Sequence, residues 1–386
     1  MSGALEGLRV LDLSSHLSGP YCAMMLADHG ADVIKIERPG TGDEARGMPP
    51  YVGGESAPFM LWNRNKRSIT LDLKSEPGKA DFLTLVDSAD ILLENFRPGT
   101  LARLGLSYEV LSQRNPRLIY ASISGFGQYG PYSTRGGFDL VTQGMSGLMS
   151  VAGAKDGPPH RLPIAISDVA AGMFLAFGIL AAVEARHRTG RGQMVETSLL
   201  DAALSLGVYE AAHVFATGTR PERLGQAHRG SSPYQIIQTA DGWLTLGAAQ
   251  QNFWERLCDI LGAPALKSDP LFVTNADRVA NNDALIALLQ EQFTKKSSAE
   301  WLAALDAAGI PSGPVLEFDE VLADPHILAR EMVVDTNHPS AGAMKTLGVT
   351  VKLSETPGAV RRPAPLLGEH TSDVLASHAA RTAARA

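Results

Sequence analysis

The strongest constraint on this chain is the regular alternation of short apolar runs with helical stretches over its first 125 residues. Residues 8–13 read LRVLDL, and Gly19-Pro20 then opens a helical stretch, YCAMMLADHG, which Gly30 is placed to stop. Asp32–Glu37 (DVIKIE) is a second strand, closed by Pro39-Gly40, and further strands are expected at 68–73, 91–94 and 118–123. Strands separated by helices cannot pair through tight turns, so the alternation predicts a parallel sheet with helices on both faces.

Beyond residue 167 the pattern changes. Residues 168–187 predict one long apolar helix, and the small Ala170, Ala171 and Gly172 would let another backbone approach it closely at the centre of a domain. A second helix is expected over about 196–215, and 216–233, heavy in Gly, Arg and Ser, reads as a linker. Residues 235–248 predict a hairpin turning at Asp241-Gly242, followed by two or three helices to about 328. The segments MVVDTNH and LGVTVKL, from Met332 onward, have strand character, and a short helix is expected after Gly368-Glu369-His370-Thr371. A length of 386 residues implies two or three domains at roughly 150 residues each, and 45% hydrophobic against 19% charged residues excludes a disordered chain.

Charge and cysteines narrow the function classes. Lys and Arg number 34 against 41 Asp and Glu, a net charge of -7, so neither nucleic acid nor a membrane is an expected partner. Cys22 and Cys258 are too few for a disulfide framework and belong to no zinc cluster, which predicts a reducing cytoplasm and no metal. The N-terminus has no cationic patch followed by an apolar core, arguing against a signal peptide. The longest uncharged apolar run, 169–183, is shorter than the ~20 residues that span a bilayer.

Several motifs admit two readings. Gly125 to Gly130 (GFGQYG) matches the dinucleotide fingerprint, but Pro131-Tyr132-Ser133 and Gly136-Gly137 prolong a loop where the fingerprint needs a helix. The early basic residues Lys35, Arg38, Arg46, Arg64, Lys66, Arg67, Lys74, Arg97 and Arg103 are either a solvated surface or, at strand ends, a phosphate and adenine site. Ser167-Asp168 opens the apolar helix. There an Asp or Ser is an N-cap, and a carboxylate is also held ionised by the helix dipole, which suits a nucleophile. The histidines, His16, His29, His160, His187, His213 and His228 among them, share no metal spacing, and no GxSxG elbow is present.

Other stretches are specific: LEGLRVLDL from Leu5 with Gly19-Pro20, GADVIKIERPG from Gly30, NKRSI from Asn65, ENFRPG from Glu94, and GFGQYGP from Gly125. They continue with Ser167-Asp168, TGRGQ from Thr189 before SLLD from Ser198, GIPSGP from Gly309 and PLLGEHT from Pro365. Collinear over nearly the whole length, they resemble the class III coenzyme A transferases, the family of formyl-CoA transferase and α-methylacyl-CoA racemase (CaiB/BaiF type). The resemblance implies an α/β fold in which a Rossmann-like large domain with a parallel sheet is joined to a smaller α/β domain, in an interlocked homodimer. The large domain would comprise 1–200 and 345–386, with a linker at 201–224, the small domain at 225–328 and a return linker at 329–344.

Position by position, the resemblance makes Asp168 the catalytic aspartate and coenzyme A, as acyl-CoA, the bound substrate. CoA contacts would fall on Leu17, Ser18, Arg38, Leu71, Asp72, Lys74, Asn95, Phe96, Arg97, Arg103, Arg135, Gly136, Gly137 and Phe138. Asp139 would be a secondary acidic residue or a structural one, and Gly230, Ser231 and Ser232 the substrate loop. This loop lacks the run of glycines of the oxalate-using formyl-CoA transferase, and Leu17 replaces a polar residue there, which argues against formyl-CoA as donor. The expected reaction moves CoA from an acyl-CoA, such as succinyl-CoA, to a small carboxylic acid through aspartyl anhydride and aspartyl-CoA thioester intermediates. Two alternatives stand beside it: a 2-methylacyl-CoA racemase, weakened because Phe138 stands where racemases carry a proton-transferring histidine, and a non-catalytic CoA-binding protein. His228, Arg229 and Arg46 are candidates to face a second carboxylate of a dicarboxylic acid, or else to touch CoA or the other subunit.

Overall fold

The computed structural model describes residues 3–383; the ends of the expected large domain, 1–2 and 384–386, lie outside them. The chain divides into two compact units, one formed by residues up to Leu148, Arg161–Thr217 and those from Pro325 on, the other by Met149–His160 and Gly218–Asp324.

The first unit is built on six parallel strands, β1 (Arg9–Asp12), β2 (Asp32–Glu37), β3 (Arg67–Thr70), β4 (Ile91–Glu94), β5 (Ile119–Ser124) and β6 (Met194–Ser198), in the order β3-β2-β1-β4-β5-β6. The chain moves outward from β1 to β3, then returns to the other side of β1 as β4. Such a reversal opens a crevice beyond the carboxyl ends of β1 and β4. Both faces of the sheet are covered, as the alternation predicts: Val10 packs with Ala23, Leu26 and Leu175 on one side, and Leu11 with Ile34, Phe82 and Leu85 on the other.

β6 was not legible. Residues 196–215, expected as one helix, are the end of β6, then a helix Leu199–Leu206, then a second helix Val208–Thr217 turned from it by 72°. The Ser198 hydroxyl accepts from the Asp201 N–H and starts the first helix only there, and Gly207 breaks the path between the two. These helices occupy most of the segment expected as the linker from 201. The long apolar helix runs Ile166–Thr189, so it is longer than the 169–183 run and is long and apolar enough to cross a membrane. It packs instead against the Ser18–Asp28 helix, β5 and β6. In the tail, Val333–His338 pairs antiparallel with Gly342–Leu347, so the second strand ends where LGVTVKL begins, in a register that sets Asp335 opposite Lys345.

Beneath the crevice lies a buried ion cluster. Lys66 Nζ donates to Asp12 Oδ2 (2.9 Å), Asn63 Oδ1 (2.8 Å) and the Pro20 carbonyl (2.9 Å); Lys35 Nζ pairs with Asp43 Oδ2 (2.8 Å) and donates to the Ser14 carbonyl (2.8 Å). Lys35 and Lys66 are fully buried, and Arg64 is buried against Asp28 (2.7 Å). These three early cations are therefore neither surface nor ligand contacts. Burial pushes Lys66 down to about 8 despite Asp12, and it pushes Lys35 down too, but Asp43, Asp12 and Glu37 together outweigh it and hold Lys35 above its ordinary value. At the sheet edge the tail covers β3: His370 N–H donates to the Ser68 carbonyl (2.8 Å), Thr70 N–H to Thr371 Oγ1 (3.1 Å) and Gly368 N–H to Ser68 Oγ (2.9 Å).

The second unit packs a three-stranded antiparallel sheet, Tyr234–Gln238, Trp243–Gly247 and Ser312–Pro314, against helices whose core includes Trp254, Leu285, Phe293 and Trp301. Six α-helices occupy residues 251–329, the last of them, Pro325–Ala329, already in the first unit, where two or three were expected, because Asn281, Ser297 and other polar residues interrupt what reads as longer helical stretches. Arg278 is fully buried, and its guanidinium donates to the carbonyls of Ser232 (2.9 Å), Ala249 (2.7 Å) and Phe272 (3.0 Å).

Removing one partner of a buried pair strands the other, which costs ~3–5 kcal/mol, whereas an exposed pair contributes ~1 kcal/mol or less. Lys66→Met should therefore lower the urea-unfolding free energy by ~3–5 kcal/mol, and Arg114→Met, which breaks the exposed Arg114–Asp87 pair, by ~1 kcal/mol or less. Equal losses in the two variants would remove the ion cluster from its structural role.

Candidate active site

At the switch point, the turn after β1 and the segment after β4 are tied together by one amide. Asn95 Oδ1 accepts the Ser15 N–H (2.9 Å), and its Nδ2 donates to the Ser15 carbonyl (2.8 Å). The next N–H, of His16, donates to Asp43 Oδ1 (3.0 Å), and His16 sits at φ 62°, a left-handed conformation uncommon outside glycine. A cavity of about 380 Å³ opens here, lined by this turn, by Asn95–Pro98, by residues 135–138 and by Asp168.

Asp168 is in the first turn of the Ile166–Thr189 helix, and Ala165, not Ser167 or Asp168, is the N-cap. The expected capping role falls to Asp139, whose Oδ1 accepts the Ser167 N–H (2.9 Å) while its Oδ2 accepts from Gln143 Nε2 (2.8 Å). That places a second negative charge near Asp168. Burial and then Asp139 raise the Asp168 carboxyl to about 6, against a hydrogen bond from Ser18 and the opposing influence of His16. The sequence reading, a carboxylate held down by a helix terminus, is thus reversed in direction, although at pH 7 the group is still mostly ionised.

The Ser18 contact depends on close backbone packing. A Cβ added to Gly172 would stand 2.7 Å from the Ser18 carbonyl oxygen, so the helix carrying Asp168 can lie against the start of the Ser18–Asp28 helix only with glycine there. Gly125 and Gly137 meet in the same way, each added Cβ falling within 2.7 Å of the other's Cα. This contact folds the 125–137 loop back so that Arg135, Gly136, Gly137 and Phe138 reach the cavity. The Arg135 guanidinium lies over the Tyr132 ring at 4.9 Å.

Most of the expected site residues come together in two adjoining cavities. Leu17, Ser18, Asn95, Phe96, Arg97 and residues 135–138 line the first with Asp168. Arg38, Leu71, Asp72 and Lys74 line a second, of about 340 Å³, which shares Ser15 and Phe96 with the first. Arg103 lines neither and donates to Thr100 Oγ1 (3.1 Å). Arg46 is held by Glu37 (2.7 and 2.8 Å) and by the Pro365 carbonyl, so its charge is already matched within the fold and does not await a carboxylate. Gly230, Ser231 and Ser232 belong to the second unit, where the Gly230 N–H donates to His228 Nδ1 (3.1 Å) and the Ser232 N–H to Asn275 Oδ1 (3.1 Å). His228 and Arg229 line a cavity of that unit with Lys155. The sequence reading did not place His16, Met48 and Trp62 in the first cavity. His16 was accessible to it, since it stands in the turn after the first strand; nothing local marks the other two.

A family model described as CoA-transferase family III matches residues 5–371. The chain is similar to an acetyl-CoA:oxalate CoA-transferase of Acetobacter aceti, 42% identical over 369 residues, 95% of this chain and 94% of the relative. It is also similar to a succinate–glutarate CoA-transferase of Agrobacterium fabrum, 40% identical over 379 residues, 96% of this chain and 95% of the relative. Its structure resembles that of a CaiB/BaiF family protein from Brucella suis with a TM-score of 0.88 and 36% identity, covering 98% of this chain and all of that one.

A methyl group at Gly172 has no free space, so Gly172→Ala should push the two helices apart, at a cost of ~1–3 kcal/mol. The Ser18–Asp168 hydrogen bond should weaken with it. Denaturant unfolding would measure the first effect and a carboxyl titration of Asp168 by isotope-edited infrared spectroscopy the second. An unshifted Asp168 titration would show that Ser18 does not tune this carboxyl.

Proposed function

The chain belongs to CoA-transferase family III, and from that membership we propose that it moves coenzyme A from a succinyl-CoA-like donor to a small carboxylic acid with Asp168 as the nucleophile. The observation behind this is the half-buried, ionisable Asp168 carboxylate in a cavity beside the switch point of the sheet. An Asp168 oxygen attacks the thioester carbonyl of the donor, the C–S bond breaks, and a mixed anhydride and CoA thiolate result. The thiolate attacks the Asp168 carbonyl, forming an aspartyl-CoA thioester and releasing the donor acid. The acceptor carboxylate attacks this thioester, expelling thiolate and leaving a second anhydride. Thiolate then takes the new acyl group and frees Asp168.

In this reading Arg38, Asp72 and Lys74, around the second cavity, hold the nucleotide end of CoA. Phe96, common to both cavities, lies along the path of its arm, and Arg97, Arg135 and residues 136–138 hold the thioester end. Asp139 acts through the helix start rather than on substrate. The family resemblance makes Gly230–Ser232 the substrate loop, and the chemistry needs such a loop to exclude water, since each intermediate hydrolyses readily.

A homodimer is supported by an apolar helix face: Phe174, Phe177 and Leu180 are exposed at a spacing of three on the Asp168 helix, and Phe215, on the helix Val208–Thr217, is 87% exposed. Interlocking of the two chains rests on the family resemblance. A reducing, cytoplasmic setting is consistent with two buried free thiols.

Asp168→Ala should abolish CoA transfer between acids, read as new thioesters by mass spectrometry; a variant as fast as the unaltered enzyme would rule out this nucleophile. With its carboxyl raised to about 6, Asp168 is ionised above that value, so kcat/KM should fall as pH drops through about 6. Light scattering should give twice the chain mass, and Phe177→Glu should reduce it; a monomer without the substitution would refute the dimer.

A further inference from the structure

The transfer cycle just described leaves one buried acid without a task. Glu94 ends β4, is buried, and stands one residue before Asn95–Arg97, a strip that lines the Asp168 cavity. Its Oε2 accepts the Phe96 N–H (2.8 Å), its Oε1 accepts the Ser122 hydroxyl, and the Tyr120 hydroxyl is a third donor. Ser122 in turn accepts from Gln128 Nε2 (2.8 Å), and the Gln128 N–H donates to Glu196 Oε2 (2.8 Å) on β6. Gln128 belongs to the 125–137 loop, the far end of which brings Arg135–Phe138 to the cavity. One carboxylate thus holds both strips assigned above to the arm and thioester end of CoA, the first directly and the second through Ser122 and Gln128.

A buried anion is ordinarily matched by a cation, as Asp12 is by Lys66. Among the described residues no Lys, Arg or His acts on Glu94. From β5 it is faced by the Tyr120 and Ser122 hydroxyls, with the exposed Glu109 acting on the same Tyr120; on its other side β1 ends in Asp12, already matched by Lys66. Burial and the three neutral donors therefore pull its ionisation in opposite directions. The two hydroxyls can turn to accept when the acid gains a proton, but the Phe96 N–H can only donate, so the charge on Glu94 bears chiefly on Phe96. We propose that Glu94 is a positioning residue for coenzyme A, its charged form drawing in the Phe96 N–H and, through Ser122 and Gln128, the 125–137 loop, so that both strips are held for the bound thioester. This inference rests on the transferase reading, which places CoA in these cavities. Burial raises Glu94 to about 7, so CoA affinity is full above that pH and falls as pH drops through it, before the step near 6 set by Asp168.

The test is the Kd of CoA for the purified full-length enzyme, measured by calorimetry between about pH 5.5 and about pH 8.5. Glu94→Gln has the shape of the neutral acid and can meet the same hydroxyls, so it stands in for the protonated form at every pH. Its Kd should exceed that of the unaltered enzyme about tenfold at the alkaline end, the loss of a charged hydrogen-bond acceptor, and should match it at the acid end. Taking the ratio at each pH cancels the titration of the CoA phosphate itself. A side chain that merely supports the fold would give a ratio independent of pH. Ser122→Ala keeps the carboxylate but removes a donor that favours the anion, so the fall in affinity should move to higher pH. Retained thermal unfolding establishes that each variant is folded, and either variant alone decides the point. A constant Kd ratio for Glu94→Gln, or an unmoved midpoint for Ser122→Ala, overturns the proposal and leaves the transferase reading standing. Failure of the unaltered enzyme to bind CoA at any pH overturns that reading and this one with it.

Discussion

The site depends on the placement of two ammonium groups inside the sheet. Lys66 and Lys35 are withdrawn completely from water, an unfavourable step that only well-placed carboxylates and carbonyls can offset. Their partners, Asp12 at the end of β1, Asp43 after β2 and the Ser14 carbonyl, are the residues from which the turn after β1 is hung. Asp43 uses one oxygen for Lys35 and the other for the His16 N–H, so the conformation of the turn is transmitted directly from a buried ion pair. Hydrophobic packing alone could hold the strands, but it has no directionality with which to fix this turn.

The nucleophile is set by competition between neighbours. A helix terminus favours an anion, but Asp139 already occupies that terminus through the Ser167 N–H, and its charge opposes ionisation of Asp168. Ser18 and His16 act the other way. A carboxylate with a raised pKa keeps more basicity than an ordinary aspartate, which favours attack on a thioester carbonyl, and it remains ionised at neutral pH. Glu94, deeper under the same crevice and bonded by Ser122 and by the Phe96 N–H, is raised to about 7 by burial. Burial thus raises both Asp168 and Glu94, whereas Asp12 and Asp43, paired with the two lysines, are held below the ordinary carboxylate range.

Much of this was legible because it is local. β2 and β4 were read to the residue, and the apolar helix to within two residues at each end, because hydrophobic period and Gly or Pro punctuation lie in contiguous sequence. Asp168, Asn95 and the 135–138 loop came from motif resemblance, and they do converge on one cavity. What failed to show is tertiary. Arg46, Arg64 and Lys66 read as a cationic surface or phosphate site, since no window reveals that Glu37, Asp28 and Asp12 lie within bonding distance. Strand β6 was lost in a helix because its identity comes from pairing with β5 across more than seventy residues. Trp62 belongs to the cavity only by virtue of the fold.

The backbone of β3 is capped by residues 368–371, about three hundred positions later in the chain. During synthesis that strand must therefore wait with its outer hydrogen-bonding edge open, an invitation to pair wrongly with another chain. The residues of the second unit, 218–324, all leave the ribosome in the interval, and have everything they need except the short piece 149–160, which is already made. Order of emergence and order of completion thus run opposite ways: the unit begun first is the one finished last.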